Sequence, residues 1–463
     1  MKHAYIQRNG APRLIVIFAG WGMDATPFAG LSRPGYDIMA VWDYRTLDFD
    51  PSWTSAYQEV CVLAWSMGVH ASAMCDALIT PSPTGRVAVG GTLHPVSDTK
   101  GIPETIFAGT LDGLDEASLE RFMRRMCGGA KAYAEFCGRR PARPVQELRE
   151  ELRAIGSRSA DCCPDVRFDH YVLTARDAIF PPANQRAAFE GTDTVVLDSP
   201  HLPDFQKVLD EFFIDKTLVT ERFDSARATY DDNAEAQALT ADYLAALLRD
   251  TDTRAILSDP EATILEIGCG TGMLSRRIAS MQPAARMLYW DISPTPPDGI
   301  RPDVYTCCDA ELAIRKAAPA SLDMIVSAST MQWFNSPEGF VASAMRALRP
   351  GGILAVSTFG PDNLRETAQA SGVGLHLADR DTWTTAVGTM CDAEILTIEQ
   401  KLIQCRFDNA LDSLRSLSLT GVNALSRNGG GTARSVARAM QPDADGRYTI
   451  TYQPLFIMLR KKA

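Results

Sequence analysis

The stretch "VCVLAWSMGVHAS", residues 60–72, places one hydroxyl between a solidly apolar run and a helix-forming segment. A nucleophile elbow needs a strand that stops abruptly at a serine. It also needs small residues two positions to either side, and a helix whose first amides face the reaction. Ala64-Trp65-Ser66-Met67-Gly68 meets these demands, with alanine in place of the usual first glycine. A serine at a helix start also serves as a plain N-cap, so its chemistry depends on partners: a base to take its proton and an acid to orient that base. His201 in "LDSPHLPDF" closes one strand-like run and Asp177 in "TARDAIFPP" closes the run before it. His70 reads as a packed helix residue, His94 is a weaker alternative base, and Asp198 is a substitute acid. The turn "FAGWGMD" after the first apolar run makes the backbone amides of Trp21 and Met67 the candidate oxyanion donors.

A second constellation lies in "LEIGCGTGML", where Gly268, Gly270 and Gly272 follow a strand-like run that carries Glu266. A dinucleotide fingerprint would place its third glycine at 273, where the chain has Met273. The pattern is instead acid-x-G-x-G-x-G, in which glycines let a small amino-acid-bearing ligand approach the backbone. Asp291 ends "MLYWD", where a carboxylate can accept two ribose hydroxyls, and Asp309 in "TCCDAE" is placed for an adenine amino group. Gln332, Trp333 and Phe334 stand at the mouth of the next strand. Tyr230 and Gln237, on a helix that precedes the glycine loop, are candidates for closing over cofactor and substrate.

These groups need two scaffolds. A length of 463 residues is two to three times that of a usual domain, which is about 150 residues. Continuous apolar runs at "LIVIFAGWG", "VCVLAWS", "GRVAVGGTL", "HYVLTARD" and "TDTVVLDSPH" read as buried parallel strands. The pattern restarts after "FQKVLDEFFIDKTLV" with a helix from Ala228 to Asp250 and strands at "ATILEIGCGTG", "ARMLYWDIS", "SLDMIVSAS" and "GGILAVSTFG". Two α/β domains are expected, 1–216 and 217–463, with a helical segment over about 106–155 in the first.

A net charge of −11 excludes sequence-independent nucleic-acid binding. No apolar run reaches the roughly 20 residues of a membrane span, and no signal peptide is expected, which points to a cytoplasmic protein. Eleven cysteines lack CxxC spacing; Cys162-Cys163 and Cys307-Cys308 read as reduced thiols, and no metal is expected. "NGGGTARS" from Asn428 reads as a loop. The exception to the acidic balance is 121–143, where Arg121, Arg124, Arg125, Lys131, Arg139, Arg140 and Arg143 face one acid, Glu135. That is either a solvated helix face or a surface for an acidic partner.

"FAGWGMD", "AWSMGVHAS", "GTLHPVSDTKGIPETIFAGTL", "RFMRRMCG" and "DSPHLPDF" resemble the pimeloyl-acyl-carrier-protein methyl esterases of the BioG type. The resemblance implies an α/β-hydrolase with a helical lid, a triad of Ser66, Asp177 and His201, and release of methanol from pimeloyl-carrier-protein methyl ester in biotin synthesis. Arg121, Arg124 and Arg125 would then face the acidic acyl-carrier protein. "RFDSARATYDDNAEAQ", "LEIGCGTG", "YWDIS", "CCDAE", "SASTMQWF", "STFGPDNLRE" and "SLTGVNAL" resemble the malonyl-acyl-carrier-protein O-methyltransferases, the BioC family. That implies a class I, Rossmann-like fold and S-adenosylmethionine as co-substrate. It also implies methylation of the free carboxyl of malonyl-carrier protein or malonyl-CoA. The rival readings are a generic esterase fused to a small-molecule methyltransferase and a non-catalytic scaffold that binds carrier protein.

Overall fold

The computed structural model describes residues 1–161, 166–192, 194–249, 251–422 and 432–462. Cys162-Cys163 and the loop at Asn428 lie outside them. The chain divides between Phe213 and Ile214 into two units. The expected break at 216/217 would have fallen inside one element. Helix Lys216–Asn233 is N-capped by Asp215, whose carboxylate accepts from the Leu218 amide, and it belongs wholly to the second unit.

The first unit carries β1 (Lys2–Gln7), β2 (Arg13–Phe18), β3 (Tyr36–Trp42), β4 (Glu59–Trp65), β5 (Gly85–Val89), β6 (His170–Thr174) and β7 (Thr194–Leu197). Their order in the sheet is β1-β3-β2-β4-β5-β6-β7, with only β1 antiparallel. β2 and β4 are buried at every position, which explains their unbroken apolar runs. Of the seven strands, β1 and β3 were not expected. β1 is a half-exposed edge strand, and the run of β3 is interrupted by Asp37, which is buried because the Asn9 and Ala11 amides and Tyr57 donate to it. Between β5 and β6 stand four helices, Glu104–Asp112, Glu116–Met126, Ala130–Cys137 and Val145–Asp161, a wider lid than the expected 106–155. Arg143 anchors it: the guanidinium is buried, 2.7 Å from Glu151 and 3.4 Å from Asp43. Arg143 therefore does not belong to the basic surface with which its sequence position grouped it.

The second unit carries β8 (Thr263–Ile267), β9 (Arg286–Asp291), β10 (Tyr305–Cys307), β11 (Leu322–Ser327), β12 (Leu348–Phe359), β13 (Ala393–Gln400), β14 (Ile403–Phe407), β15 (Tyr448–Tyr452) and β16 (Pro454–Lys461). The main sheet runs β10-β9-β8-β11-β12-β16-β13, with β16 antiparallel to both its neighbours. This is the class I methyltransferase topology. Residues alternate between the sheet's two cores: Leu265, Ile267, Leu354 and Val356 face one, Ile264, Ile353 and Ala355 the other. By that parity Glu266 replaces an apolar residue on the second face. β14 and β15 pair separately, and with helices Arg365–Ser371, Ala410–Leu419 and Ala433–Ala439 they close a further small core. The helix expected from 228 to 250 is broken at Ala234, where Lys216–Asn233 ends and Glu235–Leu247 begins. Among the described residues no disulfide forms, no cluster could hold a metal ion, and no helix is long and apolar enough to cross a membrane.

Candidate active sites

Ser66 ends β4 and caps helix Met67–Met74 with φ +59°, a backbone region that side chains avoid and that functional turns retain. Its neighbours must be small for definite reasons. A Cβ on Gly68 would stand 2.2 Å from the Phe18 carbonyl oxygen, and one on Gly91 2.1 Å from that of Ser66. Ala64 fits because it packs within the sheet, fully buried.

Opposite the hydroxyl, His201 Nε2 lies 2.9 Å from Ser66 Oγ, and His201 Nδ1 lies 2.8 Å from Asp177 Oδ2. The imidazole is held on every side. Its own carbonyl accepts from Trp65 Nε1 at 2.8 Å, and its ring packs near those of Trp65 and Phe180. Asp177 is equally fixed: its Oδ1 accepts from the Ile179 and Phe180 amides, its Oδ2 from Thr174 Oγ1 and Gln185 Nε2. Burial raises the carboxyl's pKa, but the His201 charge and these hydrogen bonds outweigh it and hold Asp177 below the ordinary carboxylate range. Thr174 and Gln185 escaped the sequence reading, because neither has a motif until β6 and the following helix bring them to Asp177.

The alternatives fall elsewhere. Asp198 is exposed and paired with Arg176 at 2.7 Å, and His70 Nδ1 bonds the Leu93 carbonyl inside the core. No hydrogen bond joins His94 to Ser66 among those described. Among the described residues, neither the Trp21 nor the Met67 amide donates to a backbone carbonyl outside a helix or strand, and both residues border the cavity that holds Ser66. Its other walls are mostly apolar, with Ile102, Ile106, Phe107, Phe122 and Leu152 beside the hydroxyl-bearing Thr110. Arg125 borders it too. Arg121 and Arg124 do not; both are exposed, and Arg124 lies over the Tyr133 ring.

In the second unit a cleft opens at the carboxyl ends of β8, β9 and β11. Glu266, Gly268, Gly270, Asp291, Asp309, Tyr230, Gln237 and Trp333 all line it. Gly272 does not; at φ +88° it caps helix Met273–Ala279. Asp291 accepts from the Gly270 amide through Oδ2 and from the Ser293 amide through Oδ1, each at 2.8 Å. Burial raises its pKa despite those amides and the nearby Arg227. Asp309 caps the helix Ala310–Ala313 and lies 3.6 Å from Lys216 Nζ, which is itself 3.0 Å from the buried Glu311. Lys216, Asp224 and Arg227, all from the helix that covers the cleft, were not identified from sequence.

Burial pushes the Glu266 carboxyl up to about 8, and its Oε2 has no hydrogen-bond partner. The same is true of Ser329 Oγ and Trp333 Nε1 beside it. Each such orphan costs about 1–3 kcal/mol, so their grouping around one cleft marks a ligand site. A second, smaller cavity shares Phe223, Tyr230, Gln237, Ser329 and Trp333 with the cleft. It is closed by Phe359, Asn363, Leu375 and Tyr452.

Glu266 gives a stability test. With a folded value near 8 against an ordinary 4.5, the folded state keeps a proton that the unfolded state releases between those pH values. Stability should therefore decline as pH rises across that window and level off above it. Glu266→Gln should remove the decline. Calorimetry of the intact chain should find the variant more stable by an amount on the order of a few kcal/mol at pH 8. Near pH 4.5 the two should be about equal; a constant difference at both pH values would mean that Glu266 is ionised in the fold.

Residues 1–205 match the family model "Pimeloyl-ACP methyl esterase BioG", and residues 265–356 match a "Methyltransferase domain" model. A malonyl-[acyl-carrier protein] O-methyltransferase of Bacteroides fragilis is 32% identical, over 97% of this chain and 93% of its own length. The protein of that name from Haemophilus influenzae is 30% identical over 53% of this chain and 95% of its own. The crystal structure of BioG from Haemophilus influenzae is similar at 32% identity and a TM-score of 0.40, over 43% of this chain and 94% of that one.

Proposed function

The chain belongs to the malonyl-[acyl-carrier protein] O-methyltransferase family, and from that membership we propose one polypeptide with two opposed ester chemistries. The second unit methylates the free carboxyl of malonyl-carrier protein or malonyl-CoA. The first hydrolyses pimeloyl-carrier-protein methyl ester to the free acid and methanol. The observation that carries the hydrolase half is the unbroken line from Ser66 through His201 to Asp177.

In the hydrolase, His201 Nε2 takes the proton as Ser66 Oγ adds to the ester carbonyl. It then delivers that proton to the departing methoxide, leaving methanol and an acyl-serine. Water, deprotonated by the same nitrogen, releases the acid and restores Ser66. Asp177 stays ionised and stabilises the imidazolium. The Trp21 and Met67 amides receive the oxyanion.

The cleft of the second unit fits a nucleoside joined to an amino acid. Glu266 offers an unpartnered oxygen for an ammonium, Asp291 has lone pairs for a ribose diol, and Asp309, on the cleft wall, would accept from an adenine amino group. When bound, S-adenosylmethionine supplies a methyl group on a cationic sulfur. The acyl carboxylate is already a nucleophile at neutral pH, so alignment and desolvation suffice and no general base is assigned. Tyr230, Gln237 and Trp333, shared by the two cavities, position it.

Esterification at one chain length and hydrolysis at another do not cancel. The methyl hides the malonyl charge during elongation, and its removal afterwards restores a carboxylate. The decisive measurement is mass spectrometry of malonyl-carrier protein with S-adenosylmethionine and the Ser66→Ala protein. A gain of one methyl is expected, and an unchanged mass would remove the malonyl assignment.

The exposed lid arginines are assigned to the acidic carrier protein. Reversing Arg121 and Arg124 to Glu should raise the Michaelis constant for the carrier-bound ester by about threefold to tenfold, and salt should do likewise in the wild type. Methyl butyrate should be turned over almost unchanged. Arg125 is left intact because it borders the ester cavity. Equal losses on both esters would make these arginines supports of the lid.

A further inference from the structure

Phe107, on helix Glu104–Asp112, is buried and borders the cavity that holds Ser66. Against one edge of its ring stands Gly156, on helix Val145–Asp161. A Cβ on Gly156 would lie 2.8 Å from Phe107 Cε1 and 3.3 Å from Cζ, well inside the 3.5–4.0 Å at which carbons pack. Leu152 borders the same cavity, and a spacing of four residues puts 152 and 156 on one face of the helix. That face does two things: Leu152 forms wall, and Gly156 lets the Phe107 ring lie back against the helix. The backbone does not ask for glycine here, since Gly156 is absent from the positions with positive φ. In a helix interior glycine is less stable than alanine by about 0.5–1 kcal/mol. The small residue answers to the ring.

We propose that Gly156 sets the acyl length the esterase accepts, by holding Phe107 clear of the cavity so that a long unbranched acyl methyl ester can reach Ser66. This rests on the hydrolase reading above. The ring borders the cavity and Gly156 does not, so a methyl at 156 that pushes the ring off the helix moves it into the path of the chain. A short ester, seated close to Ser66, does not extend that far.

The test compares Gly156→Ala with wild type on methyl butyrate and methyl octanoate, reading methanol release. Alanine's preference for the helix offsets part of the clash with the ring, and a thermal melt checks that the variant folds. Expected is a fall of about tenfold or more in kcat/KM for the octanoate, with the butyrate within about twofold. Adding Phe107→Leu should restore the octanoate. Equal falls on both esters, or an unchanged length profile, would overturn the proposal for Gly156. The control is wild-type turnover that vanishes in Ser66→Ala: without it the hydrolase premise fails, and with it an unaltered profile sinks Gly156 alone.

Discussion

Replacement of Ser66 by Ala should lower ester hydrolysis by at least about 10⁴-fold while methyl transfer continues at the wild-type rate. The loss is large because Oγ is the nucleophile and lies 2.9 Å from His201 Nε2, the base that takes its proton. It should not come from misfolding. The unusual φ of +59° applies equally to serine and alanine, so the substitution adds no backbone strain. Methyl transfer is spared because Ser66 lies in the unit Met1–Phe213 and the cleft in Ile214–Ala463. Methanol release from the carrier-bound ester and methyl incorporation into the malonyl substrate, measured on one preparation, decide the matter. Hydrolysis close to wild type would remove the serine mechanism. Parallel loss of both activities would mean that the two units depend on one another.

The line from Ser66 to His201 to Asp177 could be read from sequence because each residue follows an apolar run long enough to be a buried strand, and strand ends in a parallel sheet converge on one edge. Residues whose role comes from contact across the fold could not. Gly91 is a glycine because the Ser66 carbonyl passes 2.1 Å from where its Cβ would be, and nothing near position 91 says so. Arg143 lies in a run of cations, yet it is buried against Glu151 and Asp43, partners distant in sequence or on another element. β16 was missed although "PLFIMLRK" is apolar, since its insertion between β12 and β13 depends on the closing of the whole second unit. Gly268 and Gly270, which border the cleft, were legible as a glycine turn after a strand. The role of the helix that carries Lys216, Asp224 and Arg227 was not, because these polar residues find their partners, among them Glu311, Ser293 and Pro296, only across the fold.

The second large effect is expected at Gly268, where alanine should weaken cofactor binding by about 100-fold or more. Two causes act together. A Cβ there would stand 1.9 Å from Thr330 Oγ1, 2.6 Å from Cγ2 and 2.7 Å from Cβ, so the whole Thr330 side chain must move. The residue also sits at φ +68°, which costs a non-glycine about 1–3 kcal/mol. Thr330 lies beside Ser329 and three residues before Trp333, so its displacement shifts the loop that forms the cleft's other wall. Gly270 provides the comparison. Its φ is +53°, but a Cβ on it meets nothing within 4 Å and points into open space. Gly270→Ala should therefore carry the backbone strain alone, with no clash, and lower the stability of the ligand-free fold by less than Gly268→Ala does. Gly268→Ala should lower the thermal midpoint even without ligand. Pairing it with Thr330→Gly removes the clash and leaves the strain, so the midpoint should recover in part. Calorimetric titration with S-adenosylmethionine and thermal unfolding of the three variants separate the causes. Wild-type affinity in Gly268→Ala would show that the loop can yield without disturbing the site, and the glycine's closeness to Thr330 would then have no bearing on the ligand.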